Sequence, residues 1–123
     1  MSGLDWPAIL LGAALAFGLG MVWFSPLMFG RTWSKGSHGI TPPDSPPMLA
    51  MALMVLGTVL LAVVIGMTAA IEALGLALLI LAAAAVIQLA MALFSQKTMA
   101  AALVDAGYIL AMGALMIAAQ AVL

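Results

Sequence analysis

The chain has 123 residues, of which 67% are hydrophobic and 6% are charged, and its mean hydropathy is +1.34. Such a chain lacks the polar side chains needed to cover a water-facing surface, so the composition predicts an integral membrane protein, with residues 1–123 as a single membrane domain. The net charge of −1 excludes a basic surface for nucleic acid, and the absence of Cys excludes disulfides and thiolate metal sites.

Four stretches of the chain are long and apolar enough to cross a membrane as helices, since a hydrocarbon core of about 30 Å takes about 20 residues. The first opens with Pro7 in its first turn, where the missing backbone N–H costs nothing. Short connections separate the last three stretches, which predicts tight antiparallel hairpins. We therefore predict an all-α integral membrane protein, a four-helix bundle with up-down-up-down topology. The predicted spans are residues 7–28, 48–70, 74–94 and 100–123.

The segment WFSPLMFGRTW, residues 23–33, concentrates two of the three Trp and one of the three basic residues. Ser25 followed by Pro26 has the form of a helix N-cap with Pro at the first helical position, which predicts a short interfacial helix over residues 26–35. The same pair also fits a proline kink within the first span. We interpret the segment as the exit of the first span from the bilayer, either an anchor to membrane lipid or a docking surface for a partner or ligand. The candidate residues are Trp23, Phe24, Ser25, Pro26, Phe29, Arg31, Trp33 and Lys35.

The connector between the first two spans, residues 36–47, holds four of the six Pro residues. This composition predicts a stiff, polyproline-like segment outside the bilayer. The up-down topology puts all three basic residues, Arg31, Lys35 and Lys97, on the connector's side of the membrane. The positive-inside rule therefore predicts that the connector is cytoplasmic and that both termini lie on the opposite side.

Small residues recur at four-residue spacing in the first two spans, a pattern that lets helix backbones approach closely in lipid. Gln88 lies inside the third span, where its amide needs a hydrogen-bonding partner. We interpret these residues as packing contacts within the bundle; the alternative for the small residues is contact with a second copy or a partner helix, and the alternative for Gln88 is contact with a substrate. The predicted packing residues are Gly12, Ala16, Gly20, Ala62, Gly66 and Gln88, and Ala14 with Gly18 forms a second small pair.

Asp105 is a carboxylate about six residues inside the fourth predicted span. Charged groups in membrane segments are costly, so they are paired or functional. The predicted topology puts Asp105 near Arg31, Lys35 and Lys97, which leaves two interpretations, a structural ion pair and a proton or cation site. Tyr108, three residues further along, is predicted to be an interfacial aromatic residue.

The sequence offers no arrangement of residues for catalysis. No Ser, His and acid set, no paired carboxylates and no glycine-rich phosphate loop is present. His38 has no second imidazole or thiolate to complete a metal site, and eleven Met without Cys are more typical of packing than of copper binding. We expect no enzymatic activity, no cofactor, no metal and no nucleic-acid partner.

Two motifs carry a resemblance to a known family. Residues 23–30, followed by Trp33, resemble the N-terminal signature of a bacterial family of small four-span membrane proteins, domain of unknown function seventeen sixty-one. Residues 106–108, Ala-Gly-Tyr, resemble that family's later signature, in which Asn is expected at the position of Asp105. The resemblance implies the four-helix layout and a bacterial inner membrane; together with the orientation predicted from the basic residues, this makes both termini periplasmic. It implies no activity, because the family's own function is unassigned.

Three classes of function remain open from the sequence. The small-residue faces favour a non-enzymatic accessory or scaffold subunit that packs against itself, as a homo-oligomer, or against a larger membrane complex. A small channel or proton-linked transporter is an alternative, in which Asp105 must serve because the first span has no ionisable residue between Trp6 and Arg31. A binder of lipid or a hydrophobic ligand, using the aromatic and basic segment at the head groups, is the other alternative.

Overall fold

The computed structural model describes residues 3–41 and 47–123, and this part of the chain is helical and contains no strand. The all-α prediction is confirmed, and four of the five helices in it are long and apolar enough to cross a membrane. The predicted polyproline-like part of the connector, residues 42–46, lies outside the described residues. The helices are α1 (Trp6–Trp23), α2 (Gly30–Gly36), α3 (Met48–Ala70), α4 (Leu74–Phe94) and α5 (Met99–Val122).

The start of α1 follows from its local sequence. The Asp5 carboxylate accepts a hydrogen bond from the Ala8 N–H at 3.1 Å, which satisfies one of the free donors of the first turn. Pro7 lies in that first turn, where its fixed φ suits the helix and no donor is lost.

The end of α1 differs from the prediction. The helix ends at Trp23, whereas the sequence predicted a span reaching residue 28. The Ser25 hydroxyl donates to a carbonyl in the last turn of α1 at 2.6 Å, and Pro26 has no N–H with which to continue the helix. The chain therefore turns out of α1 instead of kinking within it.

α2 is the short helix predicted between the first two spans. It runs over Gly30–Gly36 instead of residues 26–35, because the residues before it form a hydrogen-bonded turn in which its first N–H donates to the Ser25 carbonyl at 2.9 Å. The carbonyl of its last residue accepts from the Thr98 N–H at 2.9 Å, which ties α2 to the start of α5. α2 is thereby held at both ends.

α5 lies at the centre of the bundle, where it packs along α1 and α4 and also contacts α2 and α3. Of the 18 most apolar consecutive residues of α5, half are buried, compared with 17% of those of α3. The connection between α3 and α4 is as short as predicted, and these two helices contact each other, although less extensively than each contacts α5. α3 packs mainly on α1 and α5, and α4 packs mainly on α5.

Small residues allow close helix contact within the chain. A Cβ added at Gly12 would lie 3.1 Å from Met116 Cα, which is tighter than an ordinary contact, so the glycine favours the close approach of α1 and α5. A Cβ added at Gly66 would lie 2.7 Å from the end of the Ile9 side chain, so α3 and α1 meet in the same way.

The other predicted packing residues occupy similar positions. Ala16 of α1 and Ala62 of α3 are buried in the core. Gly20 faces the ring of Tyr108, and Gln88 is half-buried on α4. The predicted small residues Gly12, Ala16, Gly20, Ala62 and Gly66 therefore make contacts inside the chain, whereas the second pair, Ala14 and Gly18, is exposed.

The two halves of α3 differ in their surroundings. Residues 48–57 are exposed on every side of the helix, whereas buried positions recur from Thr58 onwards. The buried positions of α3, through which it packs against α1 and α5, therefore lie in its second half. Its first half stands away from α1, and this separation opens a cleft between the two helices.

Candidate functional site

Five aromatic rings form a cluster where α1 leaves the bundle: Trp23, Phe24, Phe29, Trp33 and Tyr108. Phe24 meets Tyr108 edge to face with ring centroids 5.4 Å apart, and it meets Trp33 edge to face at 5.5 Å. Trp23 lies 4.7 Å from Phe29 and 6.2 Å from Tyr108. Such pairs contribute about 0.5–1.5 kcal/mol each beyond the burial of their surface. The aromatic cluster therefore fixes the predicted exit segment against α5.

Trp23 and Tyr108 are turned into the protein. The Trp23 indole N–H donates to the Val104 carbonyl at 3.0 Å, and the Tyr108 hydroxyl donates to the Ala16 carbonyl at 2.7 Å. Tyr108 is only 4% exposed, so the prediction of an interfacial aromatic residue is wrong. Its ring fits beside α1 because Gly20 has no side chain there.

Asp105 makes two polar contacts. Its Oδ1 accepts from the Trp33 indole N–H at 2.8 Å, and its Oδ2 forms an ion pair with Lys97 Nζ at 2.9 Å. Lys97 Nζ also lies 5.1 Å from the centroid of the Trp33 ring, within cation–π distance. The Asp105 side chain is 10% exposed and that of Lys97 is 19% exposed. We call these three residues the Asp105 triad, and it joins α2 to α5.

Arg31 and Lys35 lie on a different surface from Asp105, although the sequence placed all three basic residues near it. Both are exposed and line a groove of about 760 Å³ along α2. Its apolar walls come from Phe24, Pro26 and Ile40. This feature, the basic groove, is lined by Phe24, Pro26, Gly30, Arg31, Trp33, Ser34, Lys35, Gly39, Ile40 and Thr41.

A second concave feature lies beside the basic groove, between α1, α3 and α5. This apolar cleft has a volume of about 260 Å³. Phe24 is a lining residue of both the cleft and the groove, so the two features adjoin at this residue. The cleft is lined by Phe17, Gly20, Met21, Phe24, Ala50, Met51, Met54 and Tyr108.

Sequence reasoning named half of the groove-lining residues and fewer of those that line the cleft. Phe17, Met21 and Met54 were not singled out, because in a uniformly apolar span no periodicity distinguishes a cleft-lining residue from a lipid-facing one. Ile40 falls in the connector that was predicted to be a stiff, polyproline-like segment. Only the packing of the helices brings these side chains beside Phe24.

The described part of the chain contains no group of three or more His, Cys, Asp or Glu side chains close enough together to hold a metal ion. His38 instead hydrogen-bonds through Nε2 to the Ser95 carbonyl at 2.8 Å. This contact ties the segment after α2 to the turn between α4 and α5.

Four apolar spans with a short helix bound to the last of them define a multi-pass helical membrane protein. The model of the family described as "Protein of unknown function (DUF1761)" matches residues 7–120, so the chain belongs to that family. The resemblance noted in the sequence is thereby confirmed. No curated protein and no solved structure matches the chain.

Proposed function

We propose that this protein is a non-enzymatic membrane protein that binds the anionic head group of a membrane amphiphile. One observation carries the proposal: the basic groove combines two exposed cationic side chains, Arg31 and Lys35, with apolar walls at the point where α1 ends. A head group with negative charge and an attached apolar part matches both kinds of surface.

The charge balance around the groove supports an anionic ligand. Among the described residues, the only ion pair joins Lys97 to Asp105. No described carboxylate therefore pairs with Arg31 or Lys35. Basic residues near an anionic membrane surface contribute about 1 kcal/mol each to its attraction. Trp33 forms part of the groove wall and is held in place by its hydrogen bond to Asp105.

The contacts of Asp105 favour this proposal over proton-linked transport. Both oxygens of its carboxylate are engaged, one by Trp33 and one by Lys97. A carboxylate that carries protons across a membrane must release such partners in each cycle, and it needs a path to both sides. We therefore assign Asp105 a structural role in positioning α2 and the groove.

The test compares lipids bound to the purified full-length protein by native mass spectrometry. We expect wild type to retain phosphatidylglycerol in preference to phosphatidylcholine. In the double variant Arg31→Gln/Lys35→Gln, the preference for phosphatidylglycerol over phosphatidylcholine should fall about thirtyfold, as expected for two basic contacts of about 1 kcal/mol each. Glu72→Gln, which changes a charge in the α3–α4 turn, is the control and should leave the preference unchanged. Equal retention of the two lipids by wild type would refute the proposal.

Assembly with a second copy of the chain is a second candidate function. The observation that favours it is an exposed small pair on α1, Ala14 and Gly18; residues 48–57 of α3 are exposed as well. A Cβ added at Gly18 would meet nothing within 4 Å, so this face of α1 is free for a close contact with another helix.

Cross-linking in nanodiscs or liposomes tests the assembly, and the absence of Cys in the chain allows a single reporter thiol at Ala14→Cys. We expect disulfide-linked dimers, and we expect Gly18→Leu to reduce them severalfold. Gly75→Leu is the matched control, since a Cβ at Gly75 of α4 also meets nothing within 4 Å. Monomers at every protein-to-lipid ratio, or association only with a larger protein, would contradict self-assembly.

A further inference from the structure

We infer that the basic groove and the apolar cleft form one continuous site for an intact anionic phospholipid, with an acyl chain between α1 and α3. This inference rests on the proposed function and adds the second half of the ligand. A head-group site alone would also accept a soluble anion or an acidic peptide. A site that continues into the bilayer selects a lipid.

The connection between the two features is Phe24. Phe24 lines both of them, and its ring meets Trp33, a groove residue, and Tyr108, a cleft residue, edge to face. A molecule that passes this ring therefore has its polar end beside Arg31 and Lys35 and its apolar end between α1 and α3. That arrangement matches the two parts of a phospholipid.

The walls of the cleft suit a flexible hydrocarbon chain. Phe17 and Met21 of α1 face Met51 and Met54 of α3. Thioether side chains are flexible and fill irregular space, so they adapt to a chain with many conformations. Gly20 adds no side chain to the cleft, and the Tyr108 ring packs against it and completes this part of the wall.

The size of the combined site is consistent with a lipid. The groove measures about 760 Å³ and the cleft about 260 Å³, compared with roughly 300–1,000 Å³ for pockets that hold small organic ligands. The cleft accommodates part of one acyl chain. The other chain then lies against residues 48–57, which are exposed to the bilayer on every side.

The energetic reason for occupancy is packing. In lipid, helices are held together by van der Waals contact, and side chains that border a gap lose those contacts unless something fills it. Any lipid chain supplies the contacts in the cleft, but only an anionic lipid places its head group beside Arg31 and Lys35. Selectivity therefore comes from the groove and retention from the cleft.

Photo-cross-linking tests the inference with the full-length protein in nanodiscs. The probes are phosphatidylglycerol and phosphatidylcholine, each with a diazirine in the middle of one acyl chain, and the labelled positions are read by mass spectrometry. We expect phosphatidylglycerol to label α1 around Phe17 and Met21 and α3 around Met51 and Met54. We expect phosphatidylcholine to label the lipid-facing surfaces of α3 and α4 without this concentration.

A matched pair of variants separates the cleft from the rest of α3. Met54→Trp fills the cleft and should reduce cleft labelling by phosphatidylglycerol severalfold. Met67→Trp places the same ring at another exposed position of α3 and should leave the labelling unchanged. Ala50→Phe is a second cleft-filling variant in case Met54→Trp does not accumulate.

The outcomes distinguish the two proposals. If phosphatidylglycerol is preferred through Arg31 and Lys35 but labels no more of the cleft than phosphatidylcholine does, the inference is wrong and the proposed function stands. If Arg31→Gln/Lys35→Gln leaves the lipid preference unchanged, the proposed function itself fails, and the inference fails with it. Cleft labelling that depends on Arg31 and Lys35 and is blocked by Met54→Trp would establish the continuous site.

Discussion

Gly30→Ala is expected to prevent the protein from accumulating in a folded state. A Cβ at this position would lie 2.7 Å from the Ser25 carbonyl carbon and 2.8 Å from its oxygen, and it would also clash with the Phe24 carbonyl oxygen. These are backbone atoms of the turn between α1 and α2, so no side-chain rotation relieves the contact. Overpacking typically costs about 1–3 kcal/mol, and more where the obstacle is rigid. The measurement is the yield of monodisperse protein in mild detergent, with its thermal unfolding midpoint.

Gly57→Ala is the matched control for this substitution. A Cβ at Gly57 would meet nothing within 4 Å, and the residue lies inside α3, where alanine favours the helix by about 1 kcal/mol over glycine. We expect this variant to accumulate at least as well as wild type. If Gly30→Ala were recovered in the same yield and with the same unfolding midpoint as Gly57→Ala, the turn would not be essential to the fold.

Asp105→Leu is expected to destabilise the protein by about 3 kcal/mol, because it leaves the part-buried Lys97 ammonium and the Trp33 indole N–H without their acceptor. Asp105→Asn should cost less, since its amide oxygen still accepts from Trp33 and only the ion pair is lost. Thermal unfolding in nanodiscs measures both changes. Asn is also the residue expected at this position from the family signature.

A double-mutant cycle isolates the ion pair. Lys97→Met removes the partner charge, so Asp105→Leu should cost less in the Lys97→Met background than in wild type. Additive effects would show that the pair contributes nothing. If Asp105→Asn kept wild-type abundance and stability but lost a transport activity measured for wild type, the functional interpretation of Asp105 would be restored.

The spans could be located from the sequence where charged, proline or turn-forming residues bound an apolar run. α3 and α4 occupy residues 48–70 and 74–94, as predicted, because Pro47 precedes the first run and Glu72 interrupts the two. The end of α1 could not be located in the same way. Ser25 and Pro26 are compatible either with a kink in α1 or with its end. In the structure α1 ends there, and the aromatic cluster that follows packs against α5, which is distant in the sequence.

The candidate site was accessible from the sequence only in part. Arg31, Trp33 and Lys35 stand out because basic and aromatic residues are rare in this chain. The sequence left open which of the three basic residues pairs with Asp105, because the pairing depends on the direction in which α2 runs. The cleft was out of reach because the separation between α1 and the first half of α3 is a property of helix packing, which uniform hydrophobicity does not encode.

The long-range hydrogen bonds of the exit segment constrain the order in which the protein is built. Trp33, Trp23 and Tyr108 bond to groups 72, 81 and 92 residues away along the chain, and in each bond one partner lies on α5. At a synthesis rate of roughly 5–20 residues per second, the N-terminal segment waits several seconds for these partners. The hydrogen bonds that hold α1 and α2 in their final positions therefore form only after α5 has been made.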